Sequence, residues 1–346
     1  MHFIRNQTAR PTFGSPPQKE QWLPSGLILN VSLGRIRKCL YKVAMRLTRA
    51  LVIYFVVVFV GGALIAPFLY QLARGVAYVR GFGGLANVPF HRIVDRAVLG
   101  MALIFLWPLL RVMGITSWRA LGFVNPGEKW RDVVPGFLIG FLSLAVIAIS
   151  AIATGARKGH LTSSSHEIVA HLMSAGSAAI AVAFIEEILF RGALFGAMRK
   201  AWNLRTALLV SSIVYALAHF VQKAPDPELV NWSSGLAMLP QMFGKIGDVQ
   251  ALVPKAFVLV VVGIILAIAY QRSGSLFLSI GLHAGWIFWL KSYRFVSTPV
   301  VGTANWFWGT DELINGWLAL LVLVTLLFAM DRFYPRRQLV AVAATT

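Results

Sequence analysis

Two adjacent carboxylates, a guanidinium and two histidines stand inside otherwise apolar stretches of this 346-residue chain. The first stretch reads Ala183-Phe184-Ile185-Glu186-Glu187-Ile188-Leu189-Phe190-Arg191-Gly192. Even low estimates put each ionised group at about 2.5–3.5 kcal/mol at the centre of a membrane helix, so such residues face a bundle interior and mark function. On a helix Glu187 and Arg191 are i,i+4 neighbours, whereas Glu186 points about 100° away. An ion pair that serves packing alone has no need of Glu186. A carboxylate enclosed by a low-dielectric bundle is a candidate general acid or base if polar partners reach it. Two histidines in apolar runs are available: His219, in a stretch that includes Ser212 and Tyr215, and His283, between Ser279 and Gly285.

The elements that must position these groups follow from composition. Hydrophobic residues make up 58% of the chain and charged residues 13%, far from the balance of a soluble domain. A hydrocarbon core about 30 Å thick requires roughly 20 apolar residues at 1.5 Å rise. Runs of this kind cover 51–73, 97–117, 133–156, 168–198, 206–222, 256–271, 273–290 and 313–330. The fold class expected is an all-α polytopic transmembrane helix bundle of about eight spans. The second run holds Pro108 and Arg111 and is tolerable if Arg111 snorkels to a headgroup region. Organisation follows the runs: a basic segment over 1–50, N-terminal transmembrane helices over 51–156, a core over 168–290, and a loop, last helix and basic tail over 291–346.

The net charge of +19 sits mainly at the ends of these runs, which is the pattern that sets orientation and not one that binds nucleic acid. Arg35, Arg37, Lys38, Lys42, Arg46 and Arg49 before the first run place the N-terminus in the cytoplasm, and an even number of crossings returns the C-terminus there. Arg332, Arg336 and Arg337 agree, while Arg74, Arg80, Arg92 and Arg96 between the first two runs oppose the assignment. The single cysteine, Cys39, excludes disulfide scaffolds and thiolate metal sites within the chain. The stretches 223–255 and 291–312, with Trp232, Trp306 and Trp308, read as loops at the headgroup boundary.

Counted from the cytoplasmic ends of their runs, Glu186, His219 and His283 lie about 20, 21 and 15 Å deep and so share a layer. The fourth run crosses in the opposite sense to the fifth and seventh, so the agreement is not forced by sequence position. Gly192 and Gly196 follow the carboxylates, and Gly281 and Gly285 bracket His283 at a spacing that permits close helix approach. A zinc-protease pattern at His166-Glu167-Ile168-Val169-Ala170-His171 fails by one residue, because i,i+5 histidines diverge by about 140°. Both are read as solvated.

Glu186-Glu187 with Arg191, then Tyr215 with His219, then His283 in a later helix, together resemble the CPBP family of intramembrane proteases. That family includes the eukaryotic CAAX prenyl endopeptidase and bacterial proteins linked to bacteriocin processing and immunity. The resemblance covers about 178–290. It implies an intramembrane endopeptidase acting on a membrane-associated peptide or protein tail. It also implies that Glu186 activates water, that His219 assists, that His283 stabilises the oxyanion, and that Glu187 and Arg191 structure the helix. Tyr215 stands where the family usually has Phe, and Ile287 where its third motif usually has Asn or Asp. One polar group of the family's site is therefore missing, and Trp286 and Tyr215 are the replacements at hand.

Glu186, His219 and His283 also form a possible three-ligand zinc set with an open position. A metal-free route, in which Glu186 and His219 polarise water directly, is favoured because one carboxylate base then suffices. Two other functions compete. Ile287 favours a catalytically weak or inactive, immunity-type membrane binding protein, and intramembrane Glu and His also serve proton-coupled transport. The chain shows no internal repeat of the transporter kind.

Overall fold

The computed structural model describes residues 25–79, 81–160, 164–220, 224–243 and 249–334. The start of the basic N-terminal segment, up to residue 24, and the tail arginines Arg336 and Arg337 lie outside the described residues, as does Arg80. The chain divides into two compact units, Met1–Val43 and Ala44–Thr346.

Each apolar run expected to cross the membrane contains a helix among its described residues. The helices α1 (Ser25–Val76) and α2 (Phe90–Val112) are followed by the single turns α3 (Trp118–Leu121) and α4 (Pro126–Lys129) and by α5 (Val133–Ala153). A capping box starts α6 (Ser165–Glu187): Ser164 Oγ accepts from the Glu167 N–H, and the Glu167 carboxylate accepts from the Ser164 N–H. The helix then passes into a π-helical stretch, Ile188–Phe195, and ends as α7 (Gly196–Ala201). Asn203 caps α8 (Leu204–Ala218) by accepting from the Thr206 N–H at 2.9 Å. The remaining helices are α9 (Ser234–Phe243), α10 (Val249–Ser273), α11 (Leu276–Val296), the one-turn α12 (Asn305–Trp308) and α13 (Trp317–Phe333).

Among the described residues five helices are long and apolar enough to cross a membrane: Thr48–Val76, Phe90–Val112, Pro126–Ala153, Ser165–Lys200 and Leu252–Ser273. The expected number of about eight spans is not reached by length and apolarity alone. α8 has 15 residues and α13 has 17, each short of a full hydrocarbon crossing. Arg111 is exposed and lies over the Trp107 ring at 5.1 Å, on the surface of α2.

Both stretches read as loops carry ordered elements: α9 and the first residues of α10 fall within 223–255, and the end of α11 falls within 291–312. α11 continues past Leu290 to Val296 and leads into β2 (Ser297–Pro299), which pairs antiparallel with β1 (Arg157–Gly159). The pair is held by Arg157, buried with its guanidinium donating to Ser297 and Asp311 and lying over the Tyr293 ring. His171, expected to be solvated, is half-buried: it stacks on Phe295 at 4.0 Å and approaches Ser292 Oγ at 3.3 Å, whereas His166 is exposed. The extra turns of α11 bring Ser292 and Phe295 beside it.

The centre of the bundle is α11, packed on α5 and α6, with α10 packed on α8 and α13. A short turn at Gly274 (φ +70) reverses the chain between α10 and α11, a conformation that a side chain disfavours. The α5–α11 crossing is a backbone contact. Gly281 and Gly285 of α11 lie against the Val133 and Phe137 carbonyls of α5, and Gly136 and Gly140 of α5 lie against the Leu278 and Leu282 carbonyls of α11. Small residues four apart on both helices remove the side-chain layer that would hold the axes apart. Gly140→Val should therefore destabilise the protein by about 1–3 kcal/mol through overpacking. Thermal unfolding in detergent should show the loss, with Gly100→Ala, where a Cβ meets nothing within 4 Å, unchanged.

Candidate active site

Three helices bring the charged groups of the sequence together. Glu186 and Glu187 close α6, His219 sits at the C-cap of α8, and His283 lies in the first half of α11. The π-helical stretch begins one residue after the carboxylate pair, and its buried face carries Phe190, Arg191 and Gly192. π-Helical turns are rare and concentrate at functional positions. Gly192 is needed there because a Cβ would come within 2.8 Å of the Leu121 carbonyl oxygen at the end of α3.

The two glutamates occupy different surroundings. Glu187 is fully buried and its Oε1 accepts from Arg191 Nη1 at 2.9 Å and from His283 Nδ1 at 2.9 Å. Glu186 is half-buried. Its Oε2 lies 3.4 Å from His219 Nε2 and 3.8 Å from His283 Nε2, within ion-pair reach but outside hydrogen-bond geometry. Among the described residues Oε2 is enclosed with no hydrogen-bond partner. That is an expensive state for a carboxylate oxygen unless a further polar molecule is to be placed there.

The imidazole tautomers follow from their other contacts. His219 Nδ1 lies 2.9 Å from the Tyr215 carbonyl oxygen and donates to it, so Nε2 faces Glu186 as an acceptor in the neutral ring and as a donor in the protonated one. His283 Nδ1 donates to Glu187, so its Nε2 is turned toward Glu186 and the Tyr215 hydroxyl, with a lone pair there in the neutral ring and a proton in the charged one. Tyr215 is buried between the Phe190, His219 and Arg191 side chains, with Arg191 Cζ 4.4 Å over its ring. Trp286, the other candidate to replace a missing polar group, is committed elsewhere: its N–H donates to Ser143 Oγ at 2.9 Å. Ile287 is buried.

A cavity of about 380 Å³ opens onto Glu186 and His219. Its far wall consists of Tyr54 of α1 and Leu99, Leu103 and Leu106 of α2. Sequence reasoning missed this wall, since leucines in one apolar span carry no mark that separates cavity lining from lipid contact. Tyr54 is the partial exception. A tyrosine inside a span needs a partner, and its hydroxyl donates to the Ala102 carbonyl at 2.9 Å, which ties α1 to α2 beside the cavity.

Glu186, His219 and His283 are donor types that suit zinc, yet among the described residues no group of three or more His, Cys, Asp or Glu side chains is arranged to hold a metal ion. What the arrangement can do without one is hold and deprotonate a water. One carboxylate oxygen and two neutral imidazole nitrogens would converge as acceptors, with Glu186 and His219 at the edge of an apolar cavity and His283 behind them.

The fold defines a helical integral membrane protein in which two carboxylates, a guanidinium and two imidazoles gather among the helices. Residues 168–289 match the family model described as Type II CAAX prenyl endopeptidase Rce1-like. The match agrees with the resemblance to CPBP proteases carried by the motifs and supports an intramembrane protease in general. No curated protein and no solved structure matches the chain.

The buried Glu187–Arg191 pair yields a test of the site's framework. Arg191→Met leaves a buried carboxylate with one partner, and the expected cost is about 3–5 kcal/mol in thermal or denaturant unfolding. Adding Glu187→Gln to that variant should recover part of the loss.

Proposed function

We propose that this protein is an intramembrane endopeptidase that hydrolyses a peptide bond in a membrane-associated peptide or protein tail, with Glu186 as the base. The observation that carries the reading is the enclosed, unpartnered Glu186 Oε2 beside the imidazoles of His219 and His283, with Glu186 and His219 lining a cavity. The family match supports the same class of reaction, and its printed description makes a CAAX-type tail the first substrate to consider. The N- and C-termini face the cytoplasm in this reading.

In the reaction, Glu186 takes a proton from water as the water oxygen bonds to the carbonyl carbon and the C=O π electrons move onto oxygen. His219, held by the Tyr215 carbonyl, accepts the second water hydrogen and so aims the attack. When the tetrahedral intermediate collapses the C–N bond breaks, and the proton held by Glu186 passes to the leaving nitrogen. The products are a carboxylic acid, which then loses its proton to water, and an amine. The apolar wall from α1 and α2 keeps bulk water from the reacting atoms.

Ile287 favours a second reading, a membrane protein that acts by binding with weak or no turnover. Mass spectrometry of peptide ends in cells carrying wild type or Glu186→Gln separates the two. The proteolytic reading expects a set of cleaved ends that vanishes with Glu186→Gln, and with His219→Ala falls by about 100-fold or more, at equal protein level. Ends that persist with Glu186→Gln would remove it. Metal analysis of the same purified proteins reads the zinc alternative.

A further inference from the structure

A second cavity lies where the first two spanning helices meet the segment that follows α8. It measures about 600 Å³, within the range of ligand sites, and is bordered by the end of α1, the residues leading into α2 and residues 226–230. Arg74 stands in the last turn of α1 and Phe90 is the first residue of α2, so the cavity sits where this hairpin of two spans leaves the hydrocarbon. The surroundings fit that depth. Tyr70 and Phe90 pack edge-to-face at 5.4 Å, and Tyr78 and Phe82 of the connection are exposed, as aromatic side chains at a headgroup boundary are.

The walls carry charges of both signs that the protein leaves unmatched. Arg74 Nη1 donates to the Tyr70 hydroxyl at 2.9 Å, and among the described residues no carboxylate comes within ion-pair distance of its guanidinium. Asp226 is occupied. One of its oxygens accepts from the His91 N–H and the other lies 3.0 Å from His91 Nδ1, which fastens the segment to the start of α2. Glu228 has no such partner among the described residues. A cation and an anion thus border one cavity without meeting, and Asn87 adds a neutral amide to the lining.

At the headgroup boundary the molecules that compete with water for such charges are the lipids themselves. A guanidinium matches two phosphate oxygens, and a primary ammonium offers three N–H donors to a carboxylate and an amide carbonyl. An anionic headgroup without an amine would meet Asp226 and Glu228 with like charge. A quaternary ammonium has no N–H to donate. We propose that this cavity binds the zwitterionic headgroup of an ethanolamine phospholipid, with the phosphate on Arg74 and the ammonium on Glu228. The assignment stands apart from the endopeptidase reading. It gives a role to Arg74, one of the arginines between the first two runs that oppose the orientation pattern. It also makes the α1–α2 hairpin and the segment after α8 two sides of one lipid seat.

The test titrates full-length protein in detergent with phosphatidylethanolamine, phosphatidylcholine or phosphatidylglycerol of identical acyl chains and counts bound lipid by native mass spectrometry. Wild type should retain the ethanolamine lipid about three- to ten-fold better than either of the others. Glu228→Gln should erase that margin, and Arg74→Gln should weaken retention of all three. Lipids held elsewhere on the surface are common to every variant and drop out of the comparison. Equal retention of the three lipids by wild type would overturn the assignment, as would an ethanolamine preference that survives in Glu228→Gln or unchanged retention in Arg74→Gln. A preference for phosphatidylglycerol would reveal a simple anion site and would equally overturn it. Both side chains are exposed, so the variants should keep the wild-type unfolding temperature. Should Arg74→Gln fail to fold, Glu228→Gln decides alone.

Discussion

A carboxylate sealed inside an apolar bundle must be neutralised by its neighbours, and Glu187 meets that requirement in a way that orders everything around it. One oxygen accepts from both Arg191 and His283. The first contact is local to the α6 and π-helical segment. The second crosses to α11 and ties the two helices at the level of the site. Because His283 spends Nδ1 on this contact, its Nε2 faces Tyr215 and Glu186. The orientation of one imidazole thus converts a structural ion pair into a constraint on the groups around Glu186. The two adjacent glutamates divide the work by direction: one turns inward to α11, and the other faces the cavity and α8.

That contact requires α11 to lie where Glu187 can reach it, and α5 seats it. Four glycines on two helices place backbone against backbone along the crossing. The close approach also brings Ser143 within 2.9 Å of Trp286 and removes that indole from the site. Opposite, α1 and α2 supply the apolar wall of the cavity. Both α5 and the α1–α2 pair lie outside the segment 168–289 that matches the family model. The charged centre belongs to that segment, while its seating and its apolar boundary come from the rest of the chain.

Much of the site was legible in the residues themselves. Glu186, Glu187, Arg191, His219 and His283 stand out because charge and imidazole are costly in lipid, and helical spacing alone separates Glu186 from the Glu187–Arg191 pair. The shared depth estimated for the three groups relies only on rise per residue, and the structure brings the same three together. The π-helical stretch was not legible, since Ile188 to Phe195 reads as ordinary apolar helix. Nor was the partner of His171, because the extension of α11 to Val296 crosses residues, among them Lys291 and Arg294, that look like loop.

By itself the sequence determined that this is a helical membrane protein and which of its side chains are too polar for their surroundings. Composition, run length and helical period are properties of neighbouring residues. Only the tertiary structure decided which histidine nitrogen faces Glu186, that Tyr215 and not Trp286 meets His283, and that leucines of α2 border the cavity. Those outcomes depend on distances between helices far apart in the chain. Such distances are set by how glycines, aromatics and a buried carboxylate pack against one another, and no local pattern encodes them.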